Sequence, residues 1–266
     1  MNELIRKATL RLLQMHYESG VGHIGGNLSC LALLMTLHHR ILKGEDHFIL
    51  SKGHAAGALY TTLWSRGLLT DEDLQQFHKE NTRLAGHPPV DGIPGISFAT
   101  GSLGHGLGLA AGLALAKRLK GEPGRVFCLT SDGEWNEGST WEALTFIAHQ
   151  KLDALTILID LNGLQGFGTT VEVADLGPIA DKLRTFCVDV QEIDGHDPEA
   201  IERALVARAA RPAAIVARTT KGHGVSFMEH KMEWHYLPLT QLQYEQAIDE
   251  LSRPISQQPH PERVGS

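Results

Sequence analysis

Five short apolar runs restrict the fold of this chain more than any other feature. They lie at residues 47–51, 125–130, 154–161, 188–193 and 213–218. Each is nearly continuous in Val, Ile and Leu and does not alternate with polar residues, as expected of parallel strands buried on both faces. Segments of helical period separate them, notably 106–119, 141–151 and 198–209. Strand and helix in alternation predict an α/β fold built on a doubly wound parallel sheet. Ligands of such sheets bind beyond the carboxyl ends of the strands. Asp132, Asn162 and the segment after Thr219 all fall at such ends.

A chain of 266 residues suits one large domain, or two small ones, with a core that needs no covalent staple. Residues 1–252 read as the folded unit and 253–266 as a polar, proline-bearing, mobile tail. Residues 81–101 hold three prolines and four glycines and predict an ordered but irregular excursion. Leu4, Ile5, Ala8, Leu12 and Met15 share one helical face, and charges interrupt the N-terminus throughout, so it does not read as a signal peptide. No apolar run approaches the ~20 residues of a membrane span. A formal charge of −7 with no cluster of Lys or Arg argues against nucleic acid or an anionic membrane as partner. Cys30, Cys128 and Cys187 form no CxxC pair, and each sits in an apolar stretch. They read as three buried thiols of a cytoplasmic protein.

The stretch CLTSDGEWNEG (128–138) runs from an apolar strand straight into an acid, Asp132. A carboxylate there is often only an N-cap for the next helix. The following apolar strand, however, ends in Asp160-Leu161-Asn162-Gly163-Leu164, with Asn162 thirty positions after Asp132. If the two strands are neighbours, a carboxylate and an amide oxygen meet with nearby backbone carbonyls, a hard-oxygen set suited to Mg²⁺ or Ca²⁺. Gly133 would let a diphosphate approach the backbone. Gly104, Gly108 and Gly112, spaced by four, predict a helix face against which a neighbour packs closely. Gly101 and the amides of Ser102 and Leu103 are expected at a helix start, where free N–H groups favour an anionic or polar ligand. The dinucleotide fingerprint GxGxxG is absent.

Asp132-Gly133 followed by Asn162 resembles the thiamin-diphosphate motif, in which GDG precedes an asparagine. More specifically, the chain resembles the N-terminal part of transketolase. SGVGHIGGNLSC, FILSKGHAAGALY, RLAGHPP, TGSLGHG, SDGEWNEGSTWEA, HQKLDALTILIDLNGLQ and KGHGVSFMEHKMEWH match that family in order, from about residue 5 to 240. The resemblance implies a thiamin-diphosphate-binding fold and places Asp132, Asn162 and the carbonyl of Leu164 as metal ligands. Gly101, Leu103 and Gly133 match cofactor-contacting positions. His23, His54, His87 and His235 match active-site histidines, with His54 and His235 nearer the cofactor and His23 and His87 nearer the donor sugar. Glu137 matches an acid near the subunit interface.

The fifteen histidines contain no pair at i, i+3 or i, i+4, so a helical zinc pair is not expected. Imidazoles suit the proton transfers that ketol chemistry requires at sugar hydroxyls. His16, His39, His78, His149 and His260 read as structural or solvated. In transketolase a pyrimidine-binding domain and a C-terminal domain follow, so the resemblance implies a split enzyme. This chain would bind thiamin diphosphate and Mg²⁺ (or Ca²⁺), and a C-terminal transketolase subunit would complete an α₂β₂ assembly acting on a sugar phosphate. The alternatives are the α subunit of a 2-oxo acid decarboxylase or dehydrogenase, which gives no reason for SKGH, AGHP or the late WH, and a non-catalytic partner that keeps the fold.

Three positions depart from the family pattern. Ser131 replaces the first glycine of GDG. LQGFG replaces the commoner LQIDG, and Tyr236 stands where glycine usually follows the last histidine.

Overall fold

A computed structural model describes residues 1–207 and 210–253. All five apolar runs form strands: β1 (His47–Leu50), β2 (Val126–Ser131), β3 (Leu155–Leu161), β4 (Asp189–Asp194) and β5 (Ala213–Arg218). They make one sheet in the order β1-β2-β3-β5-β4, every neighbouring pair parallel. The helices are α1 (Asn2–Ser19), α2 (Ile24–Thr36), α3 (Ala56–Ser65), α4 (Asp71–Leu74), α5 (Gly106–Lys120), α6 (Gly138–His149), α7 (Thr170–Ala174), α8 (Ile179–Thr185), α9 (Pro198–Val206) and α10 (Gln241–Ser252). The runs of β1, β2, β3 and β5 are continuous because both faces are covered. Edge strand β4 carries Asp189, Gln191 and Glu192 and has no fully buried residue, so its run is not the continuous apolar one expected. Phe127 and Leu129 pack into the layer of α1, α2, α3, α9 and α10, whereas Val126 and Cys128 face α5, α6 and α8. Burial on both sides leaves no solvent face to impose alternation.

Differences from expectation are local. Helix α6 begins at Gly138, ahead of Trp141, and α9 ends at Val206, with the last two positions of its expected span outside the described residues. Of the tail from Arg253 onward, only Arg253 lies within the described residues. Helix α5 begins at Gly106, so Gly101, Ser102 and Leu103 belong to the irregular stretch before it and are not a helix start. Gly104 lies outside the helix with φ +84 and close to Ser139 and Glu137, while Gly108 and Gly112 face open space among the described residues, so the three glycines do not form one packed helix face. Cys30 and Cys128 are buried but Cys187 is exposed, because the chain turns through φ 60 there between α8 and β4. Among the described residues no helix is long and apolar enough to cross a membrane.

Candidate active site

The carboxyl ends of β1, β2, β3 and β5 lead into SKGH, SDG, LNG and TTKGHG, and these four turns enclose one end of the sheet. Parallel pairing of β2 with β3 sets Ser131 opposite Asp160, so the expected meeting of Asp132 with Asn162 occurs. Asp132 Oδ2 accepts from the backbone N–H of Asn162 at 3.0 Å and of Gly163 at 2.6 Å. Its Oδ1 accepts from Gly133 N at 2.8 Å, so the same residue also caps the short 3₁₀ turn Gly133–Asn136. Burial, and then the neighbouring Asp160, push the Asp132 carboxyl up to about 6.

Beneath it lies a buried ion pair. Lys52 Nζ donates to Asp160 Oδ2 with both side chains fully enclosed, and also donates to the carbonyl of Gly26 at 2.9 Å. Ser29 Oγ donates to Asp160 at 2.6 Å, and Thr219 Oγ1 donates to its other oxygen. Burial alone would raise the Asp160 carboxyl, but the Lys52 ammonium and these hydrogen bonds hold it below its usual value. The pair joins α2, β1, β3 and the turn after β5.

The four predicted histidines converge from four separate segments. Ring centroids lie 5.6 Å apart for His23 and His54, 5.0 Å for His23 and His235, 5.5 Å for His54 and His235, and 6.4 Å for His23 and His87. His23 takes a left-handed φ of 64 at the start of α2 and donates its backbone N–H to the carbonyl of His235 at 3.1 Å. A Cβ on Gly101 would stand 3.3 Å from the ring of His87, and one on Gly53 would meet Gly101 N at 2.8 Å. The two loops therefore touch through glycine. Burial depresses all four imidazoles, that of His235 to about 3, and the Lys221 and Lys52 ammoniums press further on His54 and His235. At neutral pH the cluster is therefore uncharged.

Three side chains that hold the site were not singled out in the sequence. Asn27 Nδ2 bridges the carbonyls of His23 (2.8 Å) and His54 (3.2 Å), fixing two histidine segments at once. Glu134 is fully buried and accepts from Ser51 Oγ, Gly104 N (2.8 Å) and Ser131 N (3.4 Å), tying three loops together. Lys221 Nζ donates to the carbonyls of Leu164 (3.2 Å) and Gln165 (3.3 Å) and to His235 Nδ1 (3.1 Å). An ammonium only donates, so His235 Nδ1 accepts and its proton sits on Nε2. Burial, with Lys52 nearby, lowers Lys221 to about 8. All three lie inside motifs quoted above, but nothing local marks them, since their partners are remote in sequence.

A cavity of about 320 Å³ opens over these groups. His54, Leu103, Asp132, Gly133, Asn162, Leu164, Lys221 and His235 line it, while His23, His87 and Gly101 stand beside it. A larger cavity of about 510 Å³ shares Asp132 and Asn136 but lies under α7 and α8 and has no histidine in its walls. Gln165 Nε2 in the wall of the smaller cavity and His23 Nδ1 beside it are buried without hydrogen-bond partners among the described residues, which favours a polar ligand there. One carboxylate, one amide oxygen and one carbonyl on a single wall fit a hard divalent cation. Asp132, held up near 6, is the group a cation would recharge. Glu137 is exposed, with its Cβ close to Gly104.

Residues 5–254 match the family model for the transketolase thiamine-diphosphate-binding domain. The chain belongs to the transketolase family. It is similar to an apulose-4-phosphate transketolase subunit of Phocaeicola vulgatus, 38% identical over 257 residues, covering 92% of this chain and 91% of that protein. A 6-deoxy-6-sulfo-D-fructose transketolase subunit of Clostridium sp. is 37% identical over 263 residues, covering 94% of each. The transketolase structure from Campylobacter jejuni superposes with a TM-score of 0.85 at 27% identity. It covers 94% of this chain, which spans only 43% of that one. The parallel sheet and its loops are thus those of a transketolase cofactor domain.

Proposed function

We propose that this chain is the cofactor-binding subunit of a two-component transketolase that moves a two-carbon ketol unit from a phosphorylated ketose to an aldose. The observation that carries this reading is the convergence of His23, His54, His87 and His235 on one cavity with Asp132, Asn162 and Lys221. Thiamin diphosphate, when bound, supplies the nucleophilic carbon and electron sink for breaking and remaking a carbon–carbon bond.

The residues of this chain bind, orient and move protons. Asp132, Asn162 and the Leu164 carbonyl would hold Mg²⁺ (or Ca²⁺), and the Lys221 ammonium adds positive charge beside them. Gly101, Leu103 and Gly133 offer backbone to the cofactor. His54 and His235 act nearest to it; His23 and His87, beside the cavity, take the donor's hydroxyls. Neutral imidazoles at His23 and His87 can accept hydrogen bonds from the donor's hydroxyls and orient them.

A partner follows from the surface as well as from the relatives named as subunits. Phe167 and Tyr236 line the cavity yet are 84% and 53% exposed, and Val171, Val173, Met232 and Leu237 nearby are exposed too. An apolar rim around a polar cavity is the usual mark of an interface. The partner is the subunit carrying the pyrimidine-binding domain, in an α₂β₂ assembly with the cofactor between unlike chains. A reducing cytoplasm suits the free thiols of Cys30, Cys128 and Cys187.

The test is calorimetry of thiamin diphosphate with Mg²⁺ on the assembled enzyme. Asp132→Ala and Asn162→Ala should each weaken binding by at least about 10–100-fold. Unchanged affinity in either variant would remove that residue from the site.

A further inference from the structure

We propose that Tyr236 is a specificity-determining residue, whose ring, seated on Gly166, walls the mouth of the cavity and limits the length of ketose that reaches the histidines. The substrate part rests on the reading of the site as a transketolase centre. Two residues far apart in sequence meet here. Gly166 stands in LQGFG and Tyr236 directly follows His235.

The backbone does not need a glycine at 166, because its φ is not in the left-handed region. What forbids a side chain is Tyr236. A Cβ on Gly166 would overlap the phenol oxygen and stand 3.2 Å from the ring carbon that bears it. That same Cβ would lie 3.5 Å from His235 Nε2, so the ring crosses directly beside the proposed reacting centre. The space that a side chain at 166 would take is filled from 236.

The other side of Tyr236 is fixed as well. A Cβ on Gly22 would overlap the carbonyl oxygen of Tyr236, so its backbone lies against the turn that presents His23. The ring centroid is 4.6 Å from that of His235 and 6.2 Å from that of His23. No hydrogen bond to the phenol is found among the described residues, and the side chain remains half exposed. Such a ring adds little to the core, yet it lines the cavity and stands between it and His23. Removing it lengthens the room available to the distal carbons and phosphate of the donor.

The experiment compares wild type, Tyr236→Gly, Tyr236→Phe and the double variant Tyr236→Gly/Gly166→Ile, each assembled with the partner subunit. Two readouts are taken: kcat/KM for five-carbon and seven-carbon ketose phosphates, and dissociation constants for the non-cleavable polyol phosphates of the same lengths. Tyr236→Gly should shift both ratios toward the longer ligand by at least about tenfold, the scale on which pocket shape discriminates. Tyr236→Phe should keep the wild-type ratios, and the double variant should move back toward them. Equal losses for both lengths in Tyr236→Gly would show a structural role only and overturn the inference. A shift in Tyr236→Phe as large as in Tyr236→Gly would place the effect in a hydroxyl contact and overturn the wall. If wild type transfers no ketol unit from either donor, the proposed function fails, while the polyol constants still decide whether Tyr236 sets length. Absence of polyol binding by every variant refutes the inference.

Discussion

Replacing Lys52 by methionine should be among the most damaging single changes outside the apolar core. Its ammonium is fully enclosed, as is the Asp160 carboxylate it meets, so neither charge has water to fall back on. Without Lys52, Asp160 keeps only the hydroxyls of Ser29 and Thr219 and a long 3.4 Å contact from the Asn162 amide. Breaking a buried pair from one side typically costs about 3–5 kcal/mol, because the remaining charge is left uncompensated. For a domain of this size that corresponds to a fall in Tm of roughly 10 °C. Asp160→Asn removes the buried charge and keeps one oxygen to accept from one hydroxyl, while its NH2 donates to the other hydroxyl once that turns. The double variant Lys52→Met/Asp160→Asn should therefore be clearly less destabilised than the sum of the singles. A coupling of about 1–3 kcal/mol is expected for groups in direct contact. Urea unfolding of the four proteins, followed by circular dichroism, measures the cycle. A Lys52→Met cost below about 1 kcal/mol, or additivity within about 0.5 kcal/mol, would refute the reasoning.

Two further predictions concern single histidines. His16 is fully enclosed, and burial lowers its pKa to about 4, whereas the unfolded chain protonates it near 6.5. The unfolded state therefore binds the extra proton between those values, and the stability due to neutral burial, complete above pH 6.5, is lost as pH falls toward 4. About 2 kcal/mol should disappear by pH 5, and His16→Asn should show that much less pH dependence in urea titrations at pH 8 and 5; an identical dependence contradicts the assignment. His87→Ala should lower turnover in the assembled enzyme by about 10²–10⁴-fold if its imidazole acts on donor hydroxyls. Full activity of that variant in steady-state kinetics would end the substrate role.

β1, β2, β3 and β5 were legible because burial on both faces leaves a simple record, continuous apolar residues of strand length. The run of β4, at the sheet edge, has only Val188, Val190 and Ile193 as apolar residues. Asp132 and Asn162 were legible for a related reason, since each ends such a run and the runs are neighbours. The histidines were found through resemblance, and their convergence depended on the packing of Gly53 and Gly22 against distant backbone and of Gly101 against the His87 side chain. Asn27, Glu134 and Lys221 escaped because a polar residue inside a helix or turn looks the same whether it faces water or a carbonyl many residues away. Cys187 was misread because apolar neighbours in sequence do not bury a residue at a left-handed turn. The glycines at 108 and 112 suggested packing, yet their face is open. Tyr236 stood out as a departure, but its meeting with Gly166 is a property of the folded loops alone.

We propose that this chain supplies one wall of a catalytic cleft and a partner subunit the other. Ketol transfer from a ketose phosphate to an aldose should be measured with thiamin diphosphate and Mg²⁺, for the isolated chain and for the chain mixed with the partner subunit, with a 2-oxo acid offered in parallel. Transfer should be absent from the isolated chain, appear on mixing, saturate at one partner per chain, and require the ketose and not the 2-oxo acid. Transfer by the isolated chain, with the partner rigorously excluded, would contradict the account.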